Sequence, residues 1–445
     1  MIRLFSDKDL LHTTINNLLR LISSPLILIF IPLFLNTQVQ GFWFSFISIA
    51  SLSIFADLGF TNLILQFTAH EFAFLSFDGK MIKVNNDEEN IRLNKLASLF
   101  RFSMKWVFII SLIVFPVIFC VGMLFFTDPA SKVVWIFPWT IYITATAFTF
   151  FNNVILSYIE GCNQVAKIQQ LRGLNAIIFS AMILVTLVFR FNLFSLALAL
   201  IFSAIFTSFS IFYYYKSLII QLLRRSVKSS YSWGNEVFKL LWKFAISFGS
   251  GYFIYQIYTP LAFKYYGPEE AGKIGFSMAI WMTCFSIANI WLISVLPKMN
   301  MLIELKQWLK LNTLFRQRVF WGSLTYIILV GLVLFVYWLF SDFSFLQSRL
   351  MTFSNLLFLS LFWQIQFLIG AWAIYLRAHK EEPYVYTSLL SAIYIVLVTW
   401  FIIRYMQPAF ILYGLYSAAI IFTPWNYYIY RQKKAKWHDM KTITI

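Results

Sequence analysis

Charge is scarce in this chain of 445 residues: 12% are Asp, Glu, Lys or Arg, and only 18 are acidic. Set against 60% hydrophobic residues and a mean hydropathy of +0.75, that scarcity excludes an ordinary soluble domain and points to a membrane as solvent. Cysteine is scarce too. Cys120, Cys162 and Cys284 show no paired spacing, which excludes a disulfide framework and a thiolate zinc site. The four histidines, His12, His70, His379 and His438, are scattered without metal-binding or catalytic spacing. No phosphate-cradling glycine loop, zinc-protease motif or nucleophile elbow occurs, so neither nucleotide hydrolysis nor acyl chemistry is supported, and no metal or cofactor is expected. No small-residue cleavage site follows the first apolar run, which is read as retained.

What the chain has instead is long apolar runs. A bilayer core about 30 Å thick needs roughly 20 apolar residues per helix. Twelve runs answer to this, near residues 13–35, 41–67, 106–126, 133–157, 174–189, 193–215, 244–263, 274–296, 319–340, 353–376, 384–403 and 409–430; the fifth is short. The expected fold is an all-α polytopic membrane protein. The longest charged interruption in mid-chain, Lys216 to Lys243, has six runs on either side. It predicts an N-terminal six-helix lobe over 1–222, an inner linker over 223–243 and a C-terminal six-helix lobe over 244–445. Gly41 in "TQVQGFWFSF" and Gly272 in "PEEAGKIGFS" open the second and eighth runs in matching positions, a weak echo of a parallel internal repeat.

A net charge of +17 would invite a nucleic-acid reading in a soluble protein, but the positive-inside rule accounts for it here. With the N-terminus inside, the outer side carries only Lys132, Arg190, Lys264, Lys273, Arg349 and Arg404 of the 35 basic residues. Both termini are therefore expected inside, and the tail "RQKKAKWHDMK" on anionic lipid headgroups; no nucleic acid is expected as a partner. Outer connections are short, the longest being near Ser341–Met351, which leaves no platform for an enzyme acting outside the membrane. The inner stretch His70–Lys105 is amphipathic and is expected to lie along the membrane surface as an elbow.

Polar residues inside the runs are the candidate site. At about 100° per residue, Ala50, Ser53, Asp57, Thr61 and Thr68 share one stripe of the second run. Asn16, Asn17, Arg20, Ser23 and Ser24 share a face of the first, followed by Pro25 as a bend. A carboxylate or guanidinium facing lipid costs a few kcal/mol, so Asp57 and Arg20 are expected to face the interior or water. Two readings are open for Asp57: a cavity wall beside Arg20, or a group that caps or pins helix packing. Asn62 and Gln66 point away from the stripe and read as interhelical hydrogen-bonding groups. The seventh run offers Ser247, Ser250, Gly251 and Tyr258, with Tyr252, Tyr255, Gln256 and Thr259 nearby; its hydroxylated rings suit sugars and also suit membrane interfaces. Lys264 and Lys273 bracket the next outer loop. Glu160 and Arg377 end the fourth and tenth runs at corresponding inner mouths, as gates, a lobe-to-lobe pair or two solvated helix ends.

Three stretches carry a resemblance. "QGFWFSFISIASLSIFADLGFTNLILQFTAHE" (Gln40–Glu71), with its opening glycine and Asp57-Leu58-Gly59, resembles the second helix of bacterial O-antigen and capsule polysaccharide flippases, Wzx-type members of the multidrug/oligosaccharidyl-lipid/polysaccharide exporter superfamily. "YYGPEEAGKIGFSMAI" (Tyr265–Ile280), with Pro297 ending the run, is similar to that family's eighth helix, and "YIEGCNQVAKIQQLRG" (Tyr158–Gly173) to its link between the fourth and fifth. The resemblance implies two six-helix lobes around a central cavity in the bacterial cytoplasmic membrane. It implies that undecaprenyl-pyrophosphate-linked oligosaccharides pass from inner to outer leaflet, with polysaccharide polymerase and chain-length machinery as partners. Arg20 would draw in the pyrophosphate and Asp57 would hold Arg20 or respond to an ion. One departure is visible: the family's acidic residue in the outer half of the seventh helix is replaced by Tyr258, Thr259 and Pro260. A drug or metabolite cation antiporter of the same superfamily is the alternative, although it should show more than one buried acid; a surface polysaccharide polymerase lacks its outer loop.

Overall fold

The computed structural model describes residues 25–127, 132–225, 231, 233–340, 344–379 and 384–439. Among the described residues, ten helical stretches, counting the interrupted Thr37–Phe72 as one, are long and apolar enough to cross a membrane. The first run is described only from its second half, as α1 (Pro25–Phe34). The second run is not one helix: α2 (Thr37–Ala50) passes through a tight turn at Ser51–Ser53 into the short α3 (Ile54–Asp57), and α4 (Phe60–Phe72) follows. After a two-stranded hairpin, β1 (Ser76–Phe77) and β2 (Ile82–Lys83), come α5 (Asp87–Phe126), α6 (Ile136–Gly161), α7 (Val165–Val188) and α8 (Leu193–Arg224). The rest comprises α9 (Trp233–Tyr255), α10 (Tyr258–Tyr266), α11 (Pro268–Ile293), α12 (Leu296–Glu304), α13 (Trp308–Leu339), α14 (Ser344–Gln347), α15 (Phe353–Ala378), α16 (Val385–Tyr405) and α17 (Tyr413–Asp439). Phe108, Leu112 and Leu124 on α5 and Ile327, Leu332 and Phe335 on α13 are more than half exposed, a pattern that suits hydrocarbon and not water.

Packing divides the chain into two units. One comprises Phe46–Gly249 and the described residues up to Leu35; the other comprises Asn36–Ser45 and the described residues from Ser250 onward. Both α2 and α9 are thus assigned partly to each unit, and α9 begins inside the stretch that the charge pattern reads as linker.

In the first unit, α6 packs on α4, α5 and α8, and α7 on α8. Its aromatic core gathers Phe46, Phe126, Trp139 and Tyr142, with the Phe46 ring centroid 4.9 Å from those of Phe126 and Trp139. The expected surface elbow is instead a hairpin and an early start of α5. Asn86 caps α5 by accepting the Glu89 N–H at 2.8 Å, while the Glu89 carboxylate accepts from Asn85 N–H at 2.7 Å. That reciprocal cap starts the helix at Asp87, about five turns before the apolar run, so charged residues that lower hydropathy are nonetheless helical. At the hairpin tip the exposed Asp78 carboxylate accepts the N–H groups of Lys80 (3.0 Å) and Met81 (2.9 Å), and these bonds hold its pKa below the ordinary value of 3.8. Gln221 on α8 pins the hairpin through both bonds to the Ile82 backbone, each 2.9 Å.

In the second unit, the first turns of α2 cross α11 at Gly41 and Gly272. A Cβ on Gly41 would lie 1.8 Å from the Pro268 carbonyl oxygen, and one on Gly272 3.1 Å from the Gly41 nitrogen. The two glycines of the sequence echo are the contact that lets these backbones touch. Beside them, buried Gln40 donates to the carbonyls of Gly272 (3.1 Å) and Arg349 (3.2 Å) and accepts from Arg349 Nη1 at 3.0 Å. Burial lowers the Arg349 pKa from its usual value. At the opposite end of α15, Tyr375 packs edge-on against Phe315 of α13 and Tyr430 of α17.

Candidate functional site

The interruption of the second run creates the site. Leu58 (φ 47°) and Gly59 (φ 81°) both adopt the left-handed conformation, which ends α3 and restarts the chain as α4. Glycine takes this geometry without strain, whereas leucine pays for it at about 1–2 kcal/mol. A side chain on Gly59 would also meet Phe244 at 2.9 Å. Asp57 offsets the break: its carboxylate accepts the N–H of Gly59 (3.3 Å), the N–H of Thr61 (3.0 Å) and the Thr61 hydroxyl. It supplies the N-terminal cap of α4 from just upstream, where the helix dipole favours negative charge. Among the described residues, no basic side chain lies within ion-pair distance of Asp57.

The break also opens a cavity of about 760 Å³ inside the first unit, walled by the second run, α6, α7 and α8. That volume falls in the range of roughly 300–1,000 Å³ common to small-molecule sites. Its wall is mixed: hydroxyl- and carboxamide-bearing residues, among them Ser53, Thr61, Asn62, Asn153 and Thr207, alternate with apolar ones such as Phe150, Leu171 and Phe179. Two further amides are held by neighbours: Asn152 Nδ2 donates to the Ala204 carbonyl (2.9 Å) and Asn175 Oδ1 accepts from Ser203 (2.8 Å). Two charged residues face it, Asp57 and Arg172. Arg172 Nη1 lies 2.8 Å from Glu160 Oε2, close but off the hydrogen-bond axis, and its Nη2 donates to Ser157 at 3.3 Å. Gln169 donates to the other Glu160 oxygen at 3.0 Å. The cavity is thus amphipathic and nearly charge-balanced: it offers many neutral donors and acceptors beside apolar surface, and few unpaired charges.

The remaining sequence candidates fall in different places. Asn16, Arg20 and Ser24 lie outside the described residues, as do Asn17 and Ser23. Asp57 and Thr61 come together, but as a cap and not as a continuous stripe: the left-handed pair at Leu58–Gly59 resets the helical phase, so Asn62 turns into the cavity. Thr68 instead sits fully buried against Gly161. Glu160, considered as a gate, is buried and ion-paired with Arg172 in its own unit, while Arg377 is exposed at the end of α15. Ser247 is half-buried on α9 and is absent from the cavity wall. Tyr258 starts α10 fully buried, and Lys264 on that helix is exposed. Tyr255 belongs to a separate, smaller cavity of about 80 Å³ in the second unit, where its hydroxyl donates to Gln366 at 2.8 Å and its ring stacks on Trp363. Arg172 and the asparagines of α6 and α7 were not singled out from sequence. The signal was present in "FNNVIL", two amides in mid-run, and in the twelve-residue interval that brings Arg172 back to Glu160 across one turn.

Comparison with known proteins places the fold. No protein-family profile and no curated relative matches by sequence. Among solved structures, the chain is similar over 100% of its length and 98% of the other's to an inward-facing multidrug resistance MATE family transporter of the MOP superfamily, at 13% identity and a TM-score of 0.55. The outward-facing conformation of such a transporter matches at 12% identity, 97% coverage of each chain and a TM-score of 0.56. A MOP superfamily transporter from Pyrococcus furiosus, described as having a binding pocket of reverse polarity that suggests a different function, matches at 13% identity, 97% coverage of each and a TM-score of 0.56. The fold is that of MATE transporters of the MOP superfamily, with two lobes of six helices.

Proposed function

We propose that the chain is a multi-pass membrane transporter that moves a lipid-linked oligosaccharide repeat unit, on undecaprenyl pyrophosphate, from the inner to the outer leaflet of a bacterial cytoplasmic membrane by alternating access. One observation carries the reading: the first unit holds a cavity of about 760 Å³ whose wall sets many hydroxyl and carboxamide groups among apolar and aromatic side chains, the mixture that a sugar ring with its apolar face and polar rim requires. Such groups exchange hydrogen bonds with sugar hydroxyls without leaving a buried charge unpaired. The carboxylates nearest the cavity are already engaged, Asp57 by two backbone N–H groups and Glu160 by Arg172. A surface polysaccharide polymerase and its chain-length partners would receive the product.

Asp57 on the cavity wall favours a second reading, cation-coupled antiport of a drug or metabolite. The two separate in a deletion strain. Lipid-linked oligosaccharide accumulating as surface polymer disappears, with both restored by the gene, supports the first. Unchanged oligosaccharide pools with altered susceptibility to cationic drugs support the second. Translocated but unpolymerised units would reject both.

A further inference from the structure

The junction of α11 and α13 carries a feature that the cavity does not use. The link between these two spanning helices is α12, whose nine residues rise only about 14 Å, too short to cross a bilayer. It packs on α13 and α15 through buried Met299 and Leu302. Because it joins the ends of two spanning helices, it lies at a membrane face, at headgroup depth. Between it and the start of α13 runs an open groove of about 380 Å³, with Leu302, Leu309 and Leu314 along it and Lys298 and Lys310 at its edge.

Two properties decide what fits. On the groove wall Leu309 is 84% exposed, and beside it in the same link, outside the groove lining, Met301 (64%) and Leu305 (61%) are bare as well. Clustered aliphatic side chains left so bare call for an apolar cover. The charge is one-sided: from Lys298 to Arg318 there are five basic residues and a single acid, Glu304. Among the described residues, neither Lys298 nor Lys310 has a carboxylate within 4 Å. A free phosphate would satisfy the lysines and leave Leu309 bare; a zwitterionic lipid would cover Leu309 without net charge complementarity.

We propose that this groove binds an anionic phospholipid, its phosphate group held by Lys298 and Lys310 and its acyl chains lying along Leu309 and Leu314. The site is independent of the cavity and of what the chain transports.

The test uses full-length protein in phosphatidylcholine nanodiscs titrated with phosphatidylglycerol, with bound lipid counted by native mass spectrometry. Wild type is expected to retain phosphatidylglycerol selectively. Juxtamembrane basic residues each contribute about fivefold, so K298Q/K310Q should bind roughly thirtyfold more weakly. Leu309→Gln, at a position with little packing to lose, should weaken retention severalfold with its melting temperature unchanged. The proposal is overturned if K298Q/K310Q retains phosphatidylglycerol like wild type. It is equally overturned if exposed Lys436→Gln in the tail lowers retention as much, or if inorganic phosphate at constant ionic strength displaces the lipid, since these indicate diffuse electrostatics and a soluble-anion site.

Discussion

Gly41→Ala is the sharpest test of the packing of α2 on α11. The added methyl would sit 1.8 Å from the Pro268 carbonyl oxygen and 2.5 Å from its carbon, whereas ordinary contacts begin near 3.4 Å. Relief requires the two backbones to part by about 1.6 Å, because the obstruction is main chain and no rotamer change removes it. Overpacking of this kind costs about 1–3 kcal/mol. Parting also stretches the bond from Gln40 to the Gly272 carbonyl, with a net loss of about 1 kcal/mol. A total near 3 kcal/mol lowers the melting temperature by roughly 6–12 °C for a unit of this size. Gly272→Ala is the internal control: its nearest neighbours are at 3.1–3.3 Å, which a shift of a few tenths of an ångström relieves, so it should cost less than about 1 kcal/mol. Intrinsic tryptophan melts of the detergent-solubilised proteins measure both. A Gly41→Ala melt within about 2 °C of wild type, or a larger effect from Gly272→Ala, would refute the crossing described here.

Asp57→Ala should destabilise the α4 terminus by about 1–2 kcal/mol, and Asp57→Asn by less because one acceptor oxygen remains; amide exchange at Gly59 and Thr61 reports the loss. Glu160→Gln or Arg172→Gln alone should each cost about 1–3 kcal/mol, below the value for a fully buried pair because the Arg172 side chain is 27% exposed, and the double variant should cost less than the sum; strict additivity in melts would deny the pairing. The lowered pKa of Asp78 means that its hairpin contribution is fully present above the unfolded value of 3.8 and is lost as pH falls through the lower folded value. Protection of the Lys80 and Met81 amides, corrected for intrinsic exchange, should therefore hold at pH 5, fall below pH 3.8 and be absent at all pH values in Asp78→Ala.

Hydropathy located the spans because each must be solvated by hydrocarbon, and every run meets helix where it is described, although the second is broken at Leu58–Gly59 and the seventh is divided between α9 and α10. It failed at ends. By hydropathy the fifth run begins at residue 174, yet α7 starts at Val165, since Lys167, Gln169 and Arg172 lower hydropathy while remaining helical and Arg172 turns inward to the cavity. The site was partly legible: Asp57 stands out as an ionisable group within an apolar run. The left-handed pair after it was not, because Leu58 carries no signature of its conformation and only Gly59 hints at it. Without the break, a continuous 100° projection sends Asn62 the wrong way and groups Thr68 with residues from which it is separate.

That interruption at Leu58–Gly59 has a consequence for how substitutions read out across the span. Helical segments on either side of a left-handed elbow have independent rotational phase, so a scan of mutational tolerance would yield one periodic wave up to residue 57 and another over 60–72, with a jump of phase at Leu58–Gly59. Deleting one residue from either segment would turn one side of that segment through about 100° relative to its neighbours while leaving the other segment in place. The second span behaves in this sense as two genetic elements, and the aspartate at the join belongs to the second.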